Sequence, residues 1–148
     1  MHKVRFNALT LDWTIELKTP LLVKAGRLSG NPSLPDMQFV RTEVAGLGET
    51  VYIPGSSLKG VFRSFSERVL RTINKEFACI PFGDESCVKK KGLKEEGPSI
   101  YKHSCRACKL FGNTSLKSRI SFTDAYPEGQ VKLEVRYGVA LSRLTNAV

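Results

Sequence analysis

The amino-acid sequence predicts an α+β fold with a ferredoxin-like arrangement. Three observations predict it: an alternating segment near the start of the chain, an amphipathic segment in the middle, and two shorter alternating segments towards the end. A strand–helix–strand unit inside an antiparallel sheet is typical of this class. The second crossover helix and the closing strand of such a fold do not occur before Val148. We therefore expect a truncated fold, or one that another chain completes.

The composition is that of one basic globular domain over residues 1–148. The chain has 23 Lys and Arg against 14 Asp and Glu, a net charge of +9, and 41% hydrophobic residues, too many for a disordered chain. No apolar run approaches the roughly 18 residues of a membrane helix, and no apolar segment follows the first five residues as in a signal peptide. We expect a cytoplasmic protein without a membrane partner. The positive excess favours a polyanion, most often nucleic acid.

The first half of the chain alternates between predicted strands and loop. Apolar and polar residues alternate over Leu9–Leu17, which predicts a half-buried strand. The segment Lys24–Glu49 is rich in Gly, Ser, Asn and Pro without sustained periodicity, and a loop of this length inside a domain is usually functional or partly disordered. Val51–Ile53 predicts a short strand that Pro54-Gly55 ends.

The middle of the chain predicts a helix with Ser56 or Ser57 as its N-cap. Apolar residues recur at the spacing of one helix face, and the basic residues fall largely outside this stripe. The stripe comprises Leu58, Val61, Phe62, Phe65, Val69, Leu70 and Ile73. Two further strands are predicted after it, over Arg119–Thr123 and Val131–Val135.

The cysteines form one cluster in the sequence. Cys79, Cys87, Cys105 and Cys108 are the four in the chain, and the last two form a Cys-x-x-Cys pair. Without a signal peptide, such a quartet predicts tetrahedral Zn²⁺ rather than two disulfides. Four thiolates leave no open position, so the zinc would be structural and would hold a polar module at about 77–112. His103 could replace one cysteine as a ligand, and free or redox-active cysteines are the competing interpretation.

Two other segments could carry chemistry. The turn that opens the helix holds two hydroxyls, two glycines and a lysine, which fits a phosphate site and a plain capped helix start about equally. In the long loop, Asp36 is the one carboxylate between Glu16 and Glu43. It could position a 2′-hydroxyl or bind a divalent ion, or it could be a turn residue after Pro35. Phe39 and Tyr52 are the aromatic residues outside the predicted core on which an RNA base could stack.

Several motifs occur together in order along the chain. They are IPGSSLKGVFRS at 53–64, CRACKLFG at 105–112, RISFTDA at 119–125 and GVALSRLTNAV at 138–148. Together they resemble the RAMP superfamily of CRISPR antiviral systems, and more narrowly the repeated backbone subunit of type III effector complexes. The last segment is similar to the stretch that the family builds on Arg-x-Thr-Gly-Ala, with Asn146 in place of Gly.

The resemblance implies an RRM-like palm with inserted loops. Copies of the subunit would stack along a guide RNA, together with other subunits of the complex, and pair with a target RNA. It implies that Asp36 cleaves the target RNA with a divalent cation, Mg²⁺ or Mn²⁺. The expected RNA contacts are Arg27, Arg41, Ser56, Ser57, Lys59 and Arg63.

Two alternatives remain open. One is the same RNA-binding scaffold without activity, with zinc only fixing a loop. The other is an endoribonuclease that processes repeat RNA, an activity that often relies on a histidine. The chain has only His2 and His103, and neither is well placed for that role.

Overall fold

The computed structural model describes residues 6–26, 38–46, 48–90 and 98–134, and it has α+β architecture. The chain divides into two compact units. One consists of Met1–Ile15 and Pro54–Asp124, and the other of Glu16–Ile53 and Ala125–Val148. Within the described ranges, no helix is long and apolar enough to cross a membrane. Asp36, Arg27 and the motif at 138–148 lie outside the described residues.

The first unit is built on helix α1, Gly55–Ile73, a 19-residue helix. It begins one or two residues before the predicted N-caps, because Pro54 is the capping residue and Gly55 the first helical one. The predicted caps Ser56 and Ser57 are therefore wrong. Pro54 offers no side-chain acceptor, and Asp124 supplies one instead: its Oδ1 accepts a hydrogen bond from the Gly55 N–H at 2.7 Å. A distant carboxylate thus satisfies one of the free donors of the helix start and favours its positive dipole end.

Gly55 permits this start because of its close approach to the segment around Phe122. A Cβ atom at Gly55 would lie 2.2 Å from the Phe122 carbonyl oxygen, closer than any real contact. The helix ends at Ile73, where the N–H of Asn74 still donates to the Leu70 carbonyl oxygen. Asn74 then caps a 3₁₀ turn, Lys75–Phe77, through a 2.8 Å hydrogen bond from the Glu76 N–H to its Oδ1.

Three short helices follow in the same unit. They are α2 (Cys87–Lys90), α3 (Pro98–His103) and α4 (Arg106–Phe111). Helix α4 packs against α1 and contributes Ala107, Cys108 and Phe111, each at most 4% exposed, to the small core. Gly112 ends α4 with φ +82°, a conformation that glycine adopts at little cost.

The predicted strand at Leu9–Leu17 is not formed in the described structure. Its residues pair with no other segment, and their side chains are exposed. An alternating pattern becomes a strand only when a neighbour satisfies its backbone groups, and none of the described residues does so. Residues 119–123 and 131–134 form no strand with a described residue either, although Ile120 and Phe122 are half-buried. The alternation still has one packing consequence, because the Trp13 ring lies 5.4 Å from that of Phe62.

The apolar stripe predicted for α1 is only partly covered. Phe62 lies between Trp13 and Phe122, with ring centroids 5.4 and 4.9 Å away. Val61 and Ile73 of the same stripe remain 68% and 69% exposed. The helix prediction is confirmed, whereas burial of its whole apolar face is not seen among the described residues.

The second unit contains a β-hairpin inside the segment predicted as loop. Strand β1 (Arg41–Val44) pairs antiparallel with β2 (Gly48–Val51), and Arg41 lies opposite Val51. The Gly46 and Gly48 residues at its turn have φ +83° and +72°. Single bridges join Lys24 to Phe39 and Ile53 to Ala125. The predicted strand at 51–53 is thus shifted, since Val51 ends β2 and Ile53 makes only a bridge.

Candidate metal centre and basic groove

The four cysteines meet at one point in the first unit. Their sulfur atoms all lie within 4.8 Å of one another, and the Sγ atoms of Cys79 and Cys108 are 3.5 Å apart. With Zn–S bonds of about 2.3 Å, the sulfurs of a tetrahedral site are about 3.8 Å apart. The cluster therefore fits a Cys₄ zinc site. Burial of Cys87 and Cys108, with the other two half-buried, is also typical of a closed structural site.

Local structure delivers each ligand to this point. Cys79 follows the 3₁₀ turn, Cys87 opens α2, and Cys105 is the N-cap of α4, with Cys108 in the first turns of that helix. The Cys105 Sγ accepts the N–H of Cys108 at 3.4 Å, as an N-cap side chain does. The guanidinium of Arg106 lies 3.6 Å from the ring centroid of Phe77, which joins α4 to the segment before Cys79.

Backbone donors and neighbouring sulfurs set the ionisation of the thiols. The N–H of Cys105 donates to the Cys87 Sγ at 3.2 Å, and that of Cys79 donates to the Cys105 Sγ at 3.5 Å. A hydrogen bond from the Cys108 side chain, with help from the backbone N–H groups of Cys108 and Cys79, lowers the pKa of Cys105 to about 4. Burial raises the pKa of Cys87 to about 12, and the bond to Cys105 with burial raises the pKa of Cys108. A bound cation would displace these shared protons.

His103 takes no part in this cluster. Its side chain is exposed at the end of α3, with Nδ1 3.0 Å from the Ser99 carbonyl oxygen and 3.3 Å from the Ser99 Oγ. Among the described residues, the group that could hold an ion consists of the four cysteines. The quartet, and not the alternative with His103, is what the geometry favours.

An ionic network that the sequence did not reveal joins α1 to the metal centre. Glu67, 8% exposed, accepts hydrogen bonds from Arg63 Nε at 2.8 Å and from Arg71 Nη2 at 3.0 Å. Arg71 also donates to the carbonyl oxygens of Ala78 and Cys79, at 3.2 and 2.9 Å. The three residues are spaced at i, i+4 and i+8 on α1, which is the one sequence signal that could have suggested the network.

Arg63, an expected RNA contact, is half-buried, and its guanidinium is bonded within the protein. All three of its nitrogens have partners, and its side chain is 22% exposed. Its donors are therefore committed to internal acceptors. Arg63 also lines the smaller concavity of the groove described next, so its contact with RNA stays a prediction.

A basic groove runs between the first turn of α1 and the segment that follows α4. It consists of two adjoining concavities of about 320 and 470 Å³. Lys59, Lys117 and Ser118 line both. Ser56 lines the larger concavity, and Phe82, which is 78% exposed, lines the smaller one. The sequence pointed to Ser56 and Lys59 but missed Lys117 and Phe82, which lie in segments without periodicity.

The remaining predicted residues lie elsewhere. Ser57 is half-buried, and its N–H is bonded to the Pro54 carbonyl oxygen, as is that of Leu58. With the Gly55 N–H held by Asp124, the start of α1 is a capped helix end rather than an open phosphate cradle. In the second unit, exposed Arg41 forms a 3.0 Å ion pair with Glu49, and Tyr52 stacks on Tyr126 with ring centroids 5.8 Å apart.

The fold and these sites define an α+β protein with a cysteine cluster that could hold a metal ion and a lysine-lined groove. The family model of the RAMP superfamily matches residues 14–148. The chain belongs to this superfamily. No curated protein and no solved structure matches it. Membership supports a CRISPR-associated RNA-binding subunit that works in a complex with RNA and other subunits.

Proposed function

We propose that this chain is a guide-RNA-binding backbone subunit of a type III CRISPR ribonucleoprotein, built on a ferredoxin-like palm. Copies of it would stack along the guide RNA and pair it with target RNA. The observation that carries the proposal is the groove, where Lys59 and Lys117, from segments far apart in the sequence, line the same surface beside the start of α1. Family membership supplies the class of ligand.

Phosphate contact in this groove rests on charge and on hydrogen-bond donors. Two ammonium groups can neutralise backbone phosphates, and the hydroxyls of Ser56, Ser118 and Ser121 can donate to phosphate or ribose oxygens. The exposed Phe82 ring offers a face on which a base can stack, and such stacking tolerates any sequence. The groove thus suits a guide whose spacer sequence varies.

The test of RNA binding is a charge reversal in the groove. Lys59→Glu and Lys117→Glu should each weaken binding of a guide-length RNA about fivefold or more and reduce its salt dependence by about one phosphate contact. Lys75→Glu, an exposed lysine outside the groove, is the matched control and should change binding much less. Equal losses in all three variants would show that only net charge matters, and the groove would not be the binding site.

We further propose that Asp36 supports cleavage of the target RNA with a bound Mg²⁺ or Mn²⁺. Its position in the basic loop and the resemblance to the type III backbone subunit support this role. The carboxylate would help to hold the cation and orient the attacking 2′-hydroxyl, while Arg27 and Arg41 flank the scissile phosphate. A bound divalent cation would stabilise the charge that develops on the phosphate oxygens.

The decisive experiment compares Asp36→Ala with the unmutated protein in the reconstituted complex. Loss of target cleavage with unchanged guide retention is the expected result, and Asp12→Ala, at an exposed aspartate, is the control. Retained cleavage in Asp36→Ala would remove the catalytic role. Guide retention without cleavage in the unmutated protein would instead identify the chain as an inactive scaffold.

A further inference from the structure

Arg63 contacts one of the four clustered cysteines. Its Nη2 lies 3.9 Å from the Sγ of Cys108, within reach of an N–H···S hydrogen bond. Its Nη1 donates to the Gly112 carbonyl oxygen at 3.0 Å. Nε completes the set on Glu67. One guanidinium therefore holds a ligand sulfur, the end of the helix that carries it, and a neighbouring turn of α1.

The surroundings make this contact strong for its length. The Cys108 residue is 1% exposed, and the side chains of Arg63 and Glu67 are 22% and 10% exposed. Glu67 offsets part of the charge of Arg63, but it is shared with Arg71, so the three side chains keep a net positive charge beside the sulfur, where solvent screens it less than at an exposed site. The guanidinium keeps that charge at any pH the protein survives, and its fork fixes the direction of each donor.

The charge of a loaded site explains what the contact would do. Four thiolates around one Zn²⁺ give the group a net charge of about −2, which is costly to bury. An N–H···S bond from a cation offsets part of this charge and fixes the orientation of the sulfur. Residues that hydrogen-bond to a metal ligand alter the metal affinity by about 10- to 100-fold in known sites.

Arg71 provides an internal comparison. It shares Glu67 with Arg63 and also ties α1 to the metal module, but its bonds there go to the carbonyl oxygens of Ala78 and Cys79. Of the two arginines, only Arg63 has a described bond to a sulfur. Any effect of simple docking between α1 and the module should therefore appear in both, whereas an effect on the ligand itself should appear at Arg63.

We propose that Arg63 is a positioning residue for the metal centre, which holds the Cys108 sulfur in its ligating orientation and offsets the charge of the bound thiolates. This role is separate from the RNA contact that the sequence predicts for Arg63, which stays a prediction. The inference rests on the cysteine cluster and not on the proposed function, so it stands or falls separately from guide binding.

The experiment measures the metal centre of the full chain directly. Zn²⁺ affinity is obtained by competition with a chromogenic chelator, and the site is also loaded with Co²⁺ to record its sulfur-to-metal charge-transfer absorption. Arg63→Gln should lower Zn²⁺ affinity about tenfold and shift the charge-transfer band. Arg71→Gln should leave the band in place, even where its thermal stability falls.

Arg63→Lys keeps the experiment informative if Arg63→Gln does not fold. The Arg63→Lys variant keeps the positive charge beside Glu67, so it should fold. Because a lysine cannot reach both the Gly112 carbonyl oxygen and the Cys108 sulfur, this variant should show a smaller loss of Zn²⁺ affinity and still shift the band. An unchanged band and affinity in the folded Arg63 variants would overturn the proposal. Equal band shifts in the Arg63 and Arg71 variants would overturn it as well, because docking alone would then account for both. A loss of RNA binding with an intact metal centre in the Arg63 variants would also overturn it, and would favour the RNA contact that the sequence predicts for Arg63.

Discussion

The cap that Asp124 places on α1 can be tested by removing it in two steps. The Gly55 N–H is buried and donates to the Asp124 Oδ1 at 2.7 Å. Asp124→Ala removes both the acceptor and its charge, whereas Asp124→Asn keeps an oxygen acceptor and removes the charge only. The difference between the two variants therefore separates the hydrogen bond from the interaction with the helix dipole.

The expected magnitude follows from the geometry. Loss of a side-chain cap with a donor left unpaired costs about 1–2 kcal/mol in the free energy of unfolding. The charge contributes about 0.3–1 kcal/mol of this at a helix N-terminus. For a chain of this size, Asp124→Ala should lower the melting temperature by about 2–8 °C, and Asp124→Asn by roughly a third of that.

Thermal unfolding of the zinc-loaded protein, followed by circular dichroism at the helix signal, measures both shifts. Asp12→Asn and Asp12→Ala repeat the two substitutions at an exposed aspartate and should leave the melting temperature within about 1 °C. The reasoning would be refuted if Asp124→Ala were as stable as the Asp12 variants, or if Asn destabilised as much as Ala.

Three more predictions concern the glycines and the metal centre. Gly55→Ala should prevent folding of the helix start, because its Cβ would lie 2.2 Å from the Phe122 carbonyl oxygen. Gly60→Ala, whose Cβ meets nothing within 4 Å, should raise the free energy of unfolding by about 0.5–1 kcal/mol. Chemical denaturation compares the two variants. Elemental analysis should find one zinc per chain, and Cys79→Ser or a chelator should remove it and lower the melting temperature; a chain that stays zinc-free as isolated and melts unchanged with chelator contradicts the site. In the metal-free protein the pKa of Cys105, about 4, lies below the roughly 8.5 of an unfolded thiol. The Cys105 thiolate contributes fully to stability above about pH 8.5, and this contribution falls as the pH decreases towards about 4. The free energy of unfolding of a Cys105→Ser variant should therefore depend less on pH between about pH 5 and 8.

The sequence was informative wherever one segment decides its own structure. The apolar stripe predicted α1 within two residues, because helix periodicity is a local signal. The structure confirms the cluster predicted from the Cys-x-x-Cys pair and the two cysteines before it. Four reduced cysteines so close in the sequence are typical of a shared metal site. The resemblance predicted the superfamily to which the chain belongs.

The sequence failed where structure depends on a partner elsewhere in the chain. Alternation at Leu9–Leu17 predicted a strand, yet a strand needs a neighbour, and no described residue provides one. The hairpin at 41–51 was missed because its strands have four residues each and the turn signal is two separate glycines. The contact between Arg63 and Cys108 was missed because the two residues are 45 apart in the sequence, and only the folded chain brings them together.

The long separations between the contacts of α1 have a kinetic consequence. The cap from Asp124 spans 69 residues, the Arg63–Gly112 bond spans 49, and the two outer cysteines are 29 apart. The entropy lost on closing a loop grows with its length, so the shortest loop closes first. We expect the metal module to assemble early, the arginine to dock onto it next, and the first turn of α1 to become ordered last. The part of the helix that borders the groove is thus the last to be completed as the chain folds.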